Sequence, residues 1–331
     1  MGILLRVASA CAVMLGVVAG AQEASATAKD KRVAVFMGPT QDKYLGVLSG
    51  SFKTNAEGYG MKVTVFSSPF DPALQAQQID DAVAQKYDML VVQIISQAAI
   101  IPVLTRVKAA KIPVMLVVAP MVGNKGGEQD LYESYVGYDD VEFGKLIGDA
   151  MVAAQKAAGR TTAKIAILAG SMAEGKAPLR EQAFRDAVAK TPGMEVVITE
   201  DVKWNPALGE KAAGQLLARF SAQGGLNGFY GMNDVVANAA IQAAEAAGVK
   251  VGTKAGDLIV VGGNCQAPGI KNMEAGKQVA TILSLPVEEG KVSAARANDF
   301  FEGKKIDKVI MLPAETITSA NLAKFAQPCS Y

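Results

Sequence analysis

Histidine is missing from all 331 residues. That absence excludes a serine–histidine triad, a cysteine–histidine pair and any metal site ligated by imidazole. Charge of one sign is also in short supply. Lysine plus arginine number 33 and aspartate plus glutamate 32, and no basic block stands out, which argues against binding nucleic acid through its phosphates. Aromatic residues make up 6% of the chain, with a single tryptophan. Charged residues make up 20% and hydrophobic ones 50%, too apolar a balance for intrinsic disorder. At this length roughly two domains with ample core are expected.

Long hydrophobic runs are confined to the N-terminus. Arg6 precedes the uncharged run Val7–Ala19, and Ala19-Gly20-Ala21 and Ala24-Ser25-Ala26 each fit the small-x-small pattern of a signal peptidase site. The run falls short of the ~20 apolar residues that span a bilayer. Residues 1–26 therefore read as a secretory signal peptide, cleaved after Ala21 or Ala26, leaving a soluble exported chain. Cysteine is scarce too. Cys11 leaves with the signal, and Cys265 and Cys329 remain as an even pair in an oxidising space, either joined or two free buried thiols.

From Arg32 onward, short β-rich runs alternate with amphipathic alanine-rich stretches. Strands are expected at Arg32–Met37, Met61–Phe66, Asp88–Gln93, Val114–Val118, Lys164–Leu168, Glu195–Thr199, Gly228–Gly231, Leu258–Gly262 and Gln278–Leu283. Helices are expected at Pro72–Gln85, Val141–Ala158, Leu179–Lys190, Pro206–Ala222, Val235–Gly248 and Pro286–Gly303. Unbroken apolar strands such as Met89-Leu90-Val91-Val92 imply burial on both faces. Repeated β-α units then give parallel sheets covered by helices, in the doubly wound style, with ligands beyond the carboxyl ends of the strands. The rhythm breaks over the glycine-rich stretch Ala119–Asp130 and the short extended piece Ser134–Gly137, which marks a crossing from one lobe to a second.

Three strand-end motifs carry possible chemistry. Gly170 to Ala177 reads G-x-x-x-x-G-K, but alanine replaces the hydroxyl that would hold Mg²⁺, and Glu174 would point charge at a phosphate. A glycine-rich loop in a cleft wall fits better than a nucleotide site. Gly231-Met232-Asn233-Asp234 opens a helix, so Asn233 caps it, presents an amide to a ligand, or both. Trp204 follows a strand among polar neighbours and is either core or a flat face for a ligand ring.

Together these pieces resemble the type I periplasmic substrate-binding proteins of ABC transporters, the ribose- and galactose-binding-like family. The likeness runs through Val33–Met37, the loop Gly38–Tyr44, Asp71-Pro72, Ile112-Pro113-Val114, Tyr135–Asp140, Arg180–Phe184, Phe229–Asp234, Val261–Asn264 and Ala280–Pro286. It implies two doubly wound parallel-sheet lobes joined by a multi-strand hinge, one of residues 31–138 plus 285–310 and the other of 139–284 plus 311–331. It implies a periplasmic, monomeric receptor that closes on a small sugar, polyol or sugar acid and delivers it to an inner-membrane ABC permease. It implies no enzyme activity, cofactor, metal or nucleic acid. A ligand-binding input for a sensor kinase or chemoreceptor is the alternative. The family's contacts fall here on Gln41, Lys43, Tyr44, Gln93, Arg180, Trp204, Asn233, Asn264 and Ser284.

The departures point to an unusual ligand. Sugar binders of this group carry an Asp-Arg pair where this chain has Val118-Ala119, an aspartate where it has Asn264, and often an aromatic residue where it has Lys43. Two carboxylate positions are neutral, while Arg180 and Lys43 can both donate to anions. A polyol, a modified sugar or a sugar acid is therefore expected rather than a standard aldopyranose.

Overall fold

A computed structural model describes residues 27–122 and 128–331. The signal peptide reading of residues 1–26, Cys11 with it, lies outside the described residues, as does part of the crossing expected over Ala119–Asp130.

The chain builds one sheet, crosses, and builds a second of the same plan. β1 (Arg32–Met37), β2 (Lys62–Ser67), β3 (Met89–Val92), β4 (Val114–Val117) and β5 (Ser134–Tyr138) alternate with α1 (Lys43–Gly58), α2 (Pro72–Ala84) and α3 (Gln97–Ala109). α4 (Asp140–Ala157) then leads into β6 (Ala163–Ala169), β7 (Met194–Asp201), β8 (Gly228–Gly231), β9 (Ile259–Val261) and β10 (Ala280–Ile282). Between these lie α5 (Lys176–Ala189), α6 (Pro206–Ser221), α7 (Asp234–Ala246) and α8 (Ala267–Glu274). The chain returns through α9 (Pro286–Phe301) to β11 (Val309–Leu312), and ends with β12 (Thr316–Thr318) and the short α10 (Leu322–Phe325).

The six-stranded sheets run β11-β5-β4-β3-β1-β2 and β12-β10-β9-β8-β6-β7. Every pairing is parallel except that of β10 with β12. These are two α/β lobes of doubly wound form. In each sheet the strand order reverses beside its first strand, between β1 and β3 and between β6 and β8, which is where such sheets open a ligand crevice. β11 belongs to the first sheet, where Ile310 pairs with Val136 and Met311 with Gly137. The crossing expected between residues 310 and 311 therefore falls inside a strand, and the chain changes sheets only after Leu312.

Local signals explain the elements. β3 and β4 are buried at every residue because helices cover both faces. Asp71, Asp139 and Asn205 cap α2, α4 and α6, each side chain accepting two N–H groups of the first turn. Proline follows the cap at Pro72 and Pro206, where its missing N–H is not needed. Apolar clusters fill both faces of each sheet, among them Phe36 stacked on Phe66 and Phe184 on Tyr230. Each fully buried Leu, Val or Phe contributes about 1.5–3 kcal/mol.

Candidate functional site

The crevices of the two sheets face each other. Between them lies a small cavity lined by Asp42, Tyr44, Leu45, Phe70, Gln93, Glu174, Lys176, Trp204, Asn233 and Asn264. Each of these residues follows the carboxyl end of a strand, from β1, β2 and β3 on one side and β6, β7, β8 and β9 on the other. The lobes touch at its edge, where the Gln97 N–H donates to the Ala173 carbonyl at 3.0 Å.

The first-lobe wall is held by a buried chain of bonds. The Tyr44 hydroxyl donates to Glu289 at 2.5 Å and accepts from Ser284 at 2.9 Å. The other Glu289 oxygen accepts the Val118 N–H at 2.9 Å. Val118 has φ 67°, which is strained for a β-branched residue, and the bond to Glu289 helps hold it there. At Val118-Ala119, where the resemblance implied an Asp-Arg pair, this chain thus turns a backbone N–H toward a glutamate from α9. Burial pushes Glu289 up to about 7. Gln93 accepts the Gly38 N–H at 2.9 Å, tying β3 to the end of β1.

The second-lobe wall is charged. Arg180 donates from Nε to Asp140 at 2.7 Å and from Nη1 to Asn264 at 3.0 Å, with its guanidinium 3.5 Å from the Phe143 ring centre. Burial opposes this charge, and Asp140 overrides it, holding the Arg180 pKa above its ordinary value. Close helix packing sets the pair. A Cβ on Gly144 would lie 2.4 Å from the Arg180 carbonyl, so α4 and α5 approach only because glycine is there.

Trp204, at φ 60°, lies against Gly170, where an added Cβ would come within 2.0 Å of the indole. Its Nε1–H donates to Glu174 at 2.5 Å. Burial pushes Glu174 up to about 7 against the pull of Lys176. Burial and Arg180 lower Lys176, whose ammonium sits 4.9 Å over Trp204 and 5.8 Å over Tyr44. Asn233 caps α7 through Oδ1, accepting the Val236 N–H at 2.8 Å.

Asn264 and Cys265 form a left-handed turn, at φ 74° and 45°. Three contacts brace it: the Cys265–Cys329 disulfide, a bond from the Cys265 N–H to Thr281, and the Tyr331 hydroxyl donating to the Asn264 carbonyl. Tyr331 also donates to the Ser284 carbonyl at 3.0 Å and meets Tyr44 edge-on at 6.1 Å.

The residues singled out from the sequence separate into three positions. Tyr44, Gln93, Trp204, Asn233 and Asn264 line the cavity. Arg180 and Ser284 stand one layer behind, bonded to Asn264 and Tyr44. Gln41 and Lys43 are exposed and line an outer groove, which shares only Asp42, Phe70 and Trp204 with the cavity. The charge imbalance expected at Arg180 and Lys43 is therefore not there. Arg180 has Asp140 as its partner, and Lys43 faces outward. Glu174 and Lys176, set aside with the phosphate-loop reading, are the second lobe's charged groups in the cavity. Asp42 and Glu289 also escaped notice, since nothing local marks a carboxylate in a helix cap or an amphipathic helix as facing a cleft.

A family model described as "Periplasmic binding protein domain" matches residues 33–305, which is most of the chain. The chain belongs to the periplasmic binding protein family. Within it, this is a type I periplasmic binding protein of the ribose-binding group. It is 24% identical over 307 residues to the ribose import binding protein RbsB of Haemophilus influenzae, covering 93% of this chain and 97% of that one. It is 22% identical over 294 residues to RbsB of Bacillus subtilis, covering 89% of each. Its fold is similar to that of a galactofuranose binding protein, with TM-score 0.82 and 19% identity over 90% of this chain and 97% of the other. Caulobacter myo-inositol binding protein gives TM-score 0.79 and 19% identity over 88% and 95%.

Proposed function

We propose that this periplasmic binding protein is the exported, monomeric receptor of an ABC importer, closing its lobes on a small sugar-like ligand and presenting it to an inner-membrane permease. The observation that supports this best is the composition of the cavity, which draws polar groups from both lobes around an aromatic face. Amides suit the hydroxyl edge of a sugar or polyol, and Trp204 suits its C–H face. A ligand that touches both lobes at once favours the closed state by its contacts with each, which is how binding drives closure. The relatives named for ribose import support a transport role. On this reading the hinge is the set of crossings after Tyr138, before Pro286 and after Leu312. Gln41, Lys43, Arg180 and Ser284 act around the ligand rather than as its inner wall.

Trp204, the only tryptophan, gives the test. Its fluorescence is expected to change when sugars, polyols and sugar acids are titrated into the purified protein, and silence across all three classes would sink the proposal. Deleting the gene separates the two roles: lost uptake of the bound solute supports the importer, and lost signalling with intact uptake supports a sensor input.

A further inference from the structure

The cavity's hydrogen-bonding groups are unequally divided. Gln93 Oε1 accepts the Gly38 N–H, Asn233 Oδ1 accepts the Val236 N–H, and Asn264 Oδ1 accepts from Arg180. Because each partner is an N–H, each amide has its oxygen turned to the protein, and its NH₂ is the group left without a bond. Among the described residues none of these NH₂ groups has an acceptor, and none is sealed away from open space. Lys176 is 7% exposed, and its ammonium likewise has no hydrogen bond or ion pair there. The aromatic faces of Trp204 and Tyr44 attract the cation but accept no hydrogen bond of ordinary strength. The Tyr44 proton is already committed to Glu289.

Against these four donor groups stand two carboxylates. Glu174 Oε1 accepts the Trp204 N–H and its Oε2 is sealed from open space, whereas Asp42, whose Oδ1 caps Leu45, lines the cavity. A sugar hydroxyl that accepts a bond still carries a proton needing an acceptor of its own. A ligand made only of hydroxyls exhausts Asp42 before the donors are satisfied. A carboxylate brings two oxygens and no proton, and pairs with an ammonium through a charge-assisted bond. Hydroxyls on the same molecule then donate to Asp42. An amino group would instead set a second cation beside Lys176.

We propose that the ligand is a sugar acid, a polyhydroxylated monocarboxylate whose carboxylate is held by Lys176 and the NH₂ groups of the cavity amides. The proposal rests on the reading of this cavity as the receptor site, and assigns the specificity to Lys176. Calorimetry on the exported chain tests it with D-gluconate, D-galactonate, D-glucuronate and D-galacturonate, each beside D-glucose, D-galactose and D-glucosamine. At least one acid should bind about tenfold or more tightly than its neutral counterpart. Lys176→Met should weaken that acid by about 10–100-fold and abolish the preference, whereas Lys176→Arg should keep it. Thermal melts show that each variant is folded, and the unmodified chain decides the preference even if Lys176→Met is not. Neutral sugars binding as well as every acid, glucosamine binding best, or a preference that survives Lys176→Met would each overturn the proposal while leaving the receptor reading standing. Silence toward every compound would overturn both.

Discussion

The two lobes repeat one strand order but build opposite kinds of wall. The first offers Tyr44, Leu45, Phe70 and Gln93, with Asp42 at the edge and Glu289 concealed behind the tyrosine. The second offers Glu174, Lys176, Trp204, Asn233 and Asn264, backed by the Arg180–Asp140 pair. Backbone strain divides in the same way. Trp204, Asn264 and Cys265 all have positive φ in the second wall, whereas the first has Phe70 at its rim and Val118 behind it. Strained residues persist only where their surroundings over-determine them, and here an indole on Gly170 and a disulfide supply that support. The same topology thus leaves chemistry to its loops. One lobe contributes a mainly apolar surface to close against, and the other a pre-set arrangement of charge.

If the second lobe depends on buried charge, Asp140→Ala should be the most damaging single change. It leaves the Arg180 guanidinium buried without its partner, an imbalance that typically costs about 3–5 kcal/mol. Gln93→Ala, the polar truncation on the first wall, should cost about 1–3 kcal/mol by leaving the buried Gly38 N–H unpaired. Urea unfolding of both variants measures the difference, and equal losses would erase the contrast between the lobes. Breaking the Cys265–Cys329 bond comes next. It closes a separation of 64 residues, for which the chain-entropy estimate is about 4 kcal/mol, with about 2–4 kcal/mol typical. The Cys265→Ser, Cys329→Ser double variant should also bind ligand more weakly, because the Asn264 turn loses one of its braces. Unchanged affinity alongside reduced stability would place the disulfide outside the site's machinery.

These contrasts were unevenly legible in the sequence. The apolar run Met89–Val92 and the Asp71-Pro72 start lie where periodicity and capping place them, because each is a local signal. β11 and β12 were not: short and amphipathic, they pair only when the chain recrosses between sheets, so no local pattern marks their partners. In the site, the family resemblance added Tyr44, Gln93 and Asn264 to Trp204 and Asn233, which strand-end position had already marked. It could not show that Arg180 already has a partner, because Asp140 lies 40 residues away and meets it only through α4–α5 packing. Lys176 was hidden for a related reason. Its motif suggested phosphate, and only the fold shows that the loop turns its lysine onto Trp204 and Tyr44.

A last expected effect concerns protons. Burial raises Glu174 and Asp234 in the second lobe and Glu289 behind the first wall, each to about 7, from ordinary values of 4.5, 3.8 and 4.5. Between about pH 4 and 7 the folded chain therefore holds protons that the unfolded chain has released, and stability must fall as pH rises through that window. Glu174 gives the cleanest dissection, because one oxygen accepts the Trp204 N–H and the other has no partner. Glu174→Gln keeps the acceptor and places an NH₂ where the unpartnered oxygen stood. It should leave Tm at pH 5 nearly unchanged and raise it at pH 8. The stability profile should flatten by at most about 1.4 kcal/mol per pH unit between pH 4.5 and 7. A parallel profile, displaced but no flatter, would mean that Glu174 stays ionised beside Lys176 throughout. The charge asymmetry of the second lobe would then be larger than its burial suggests.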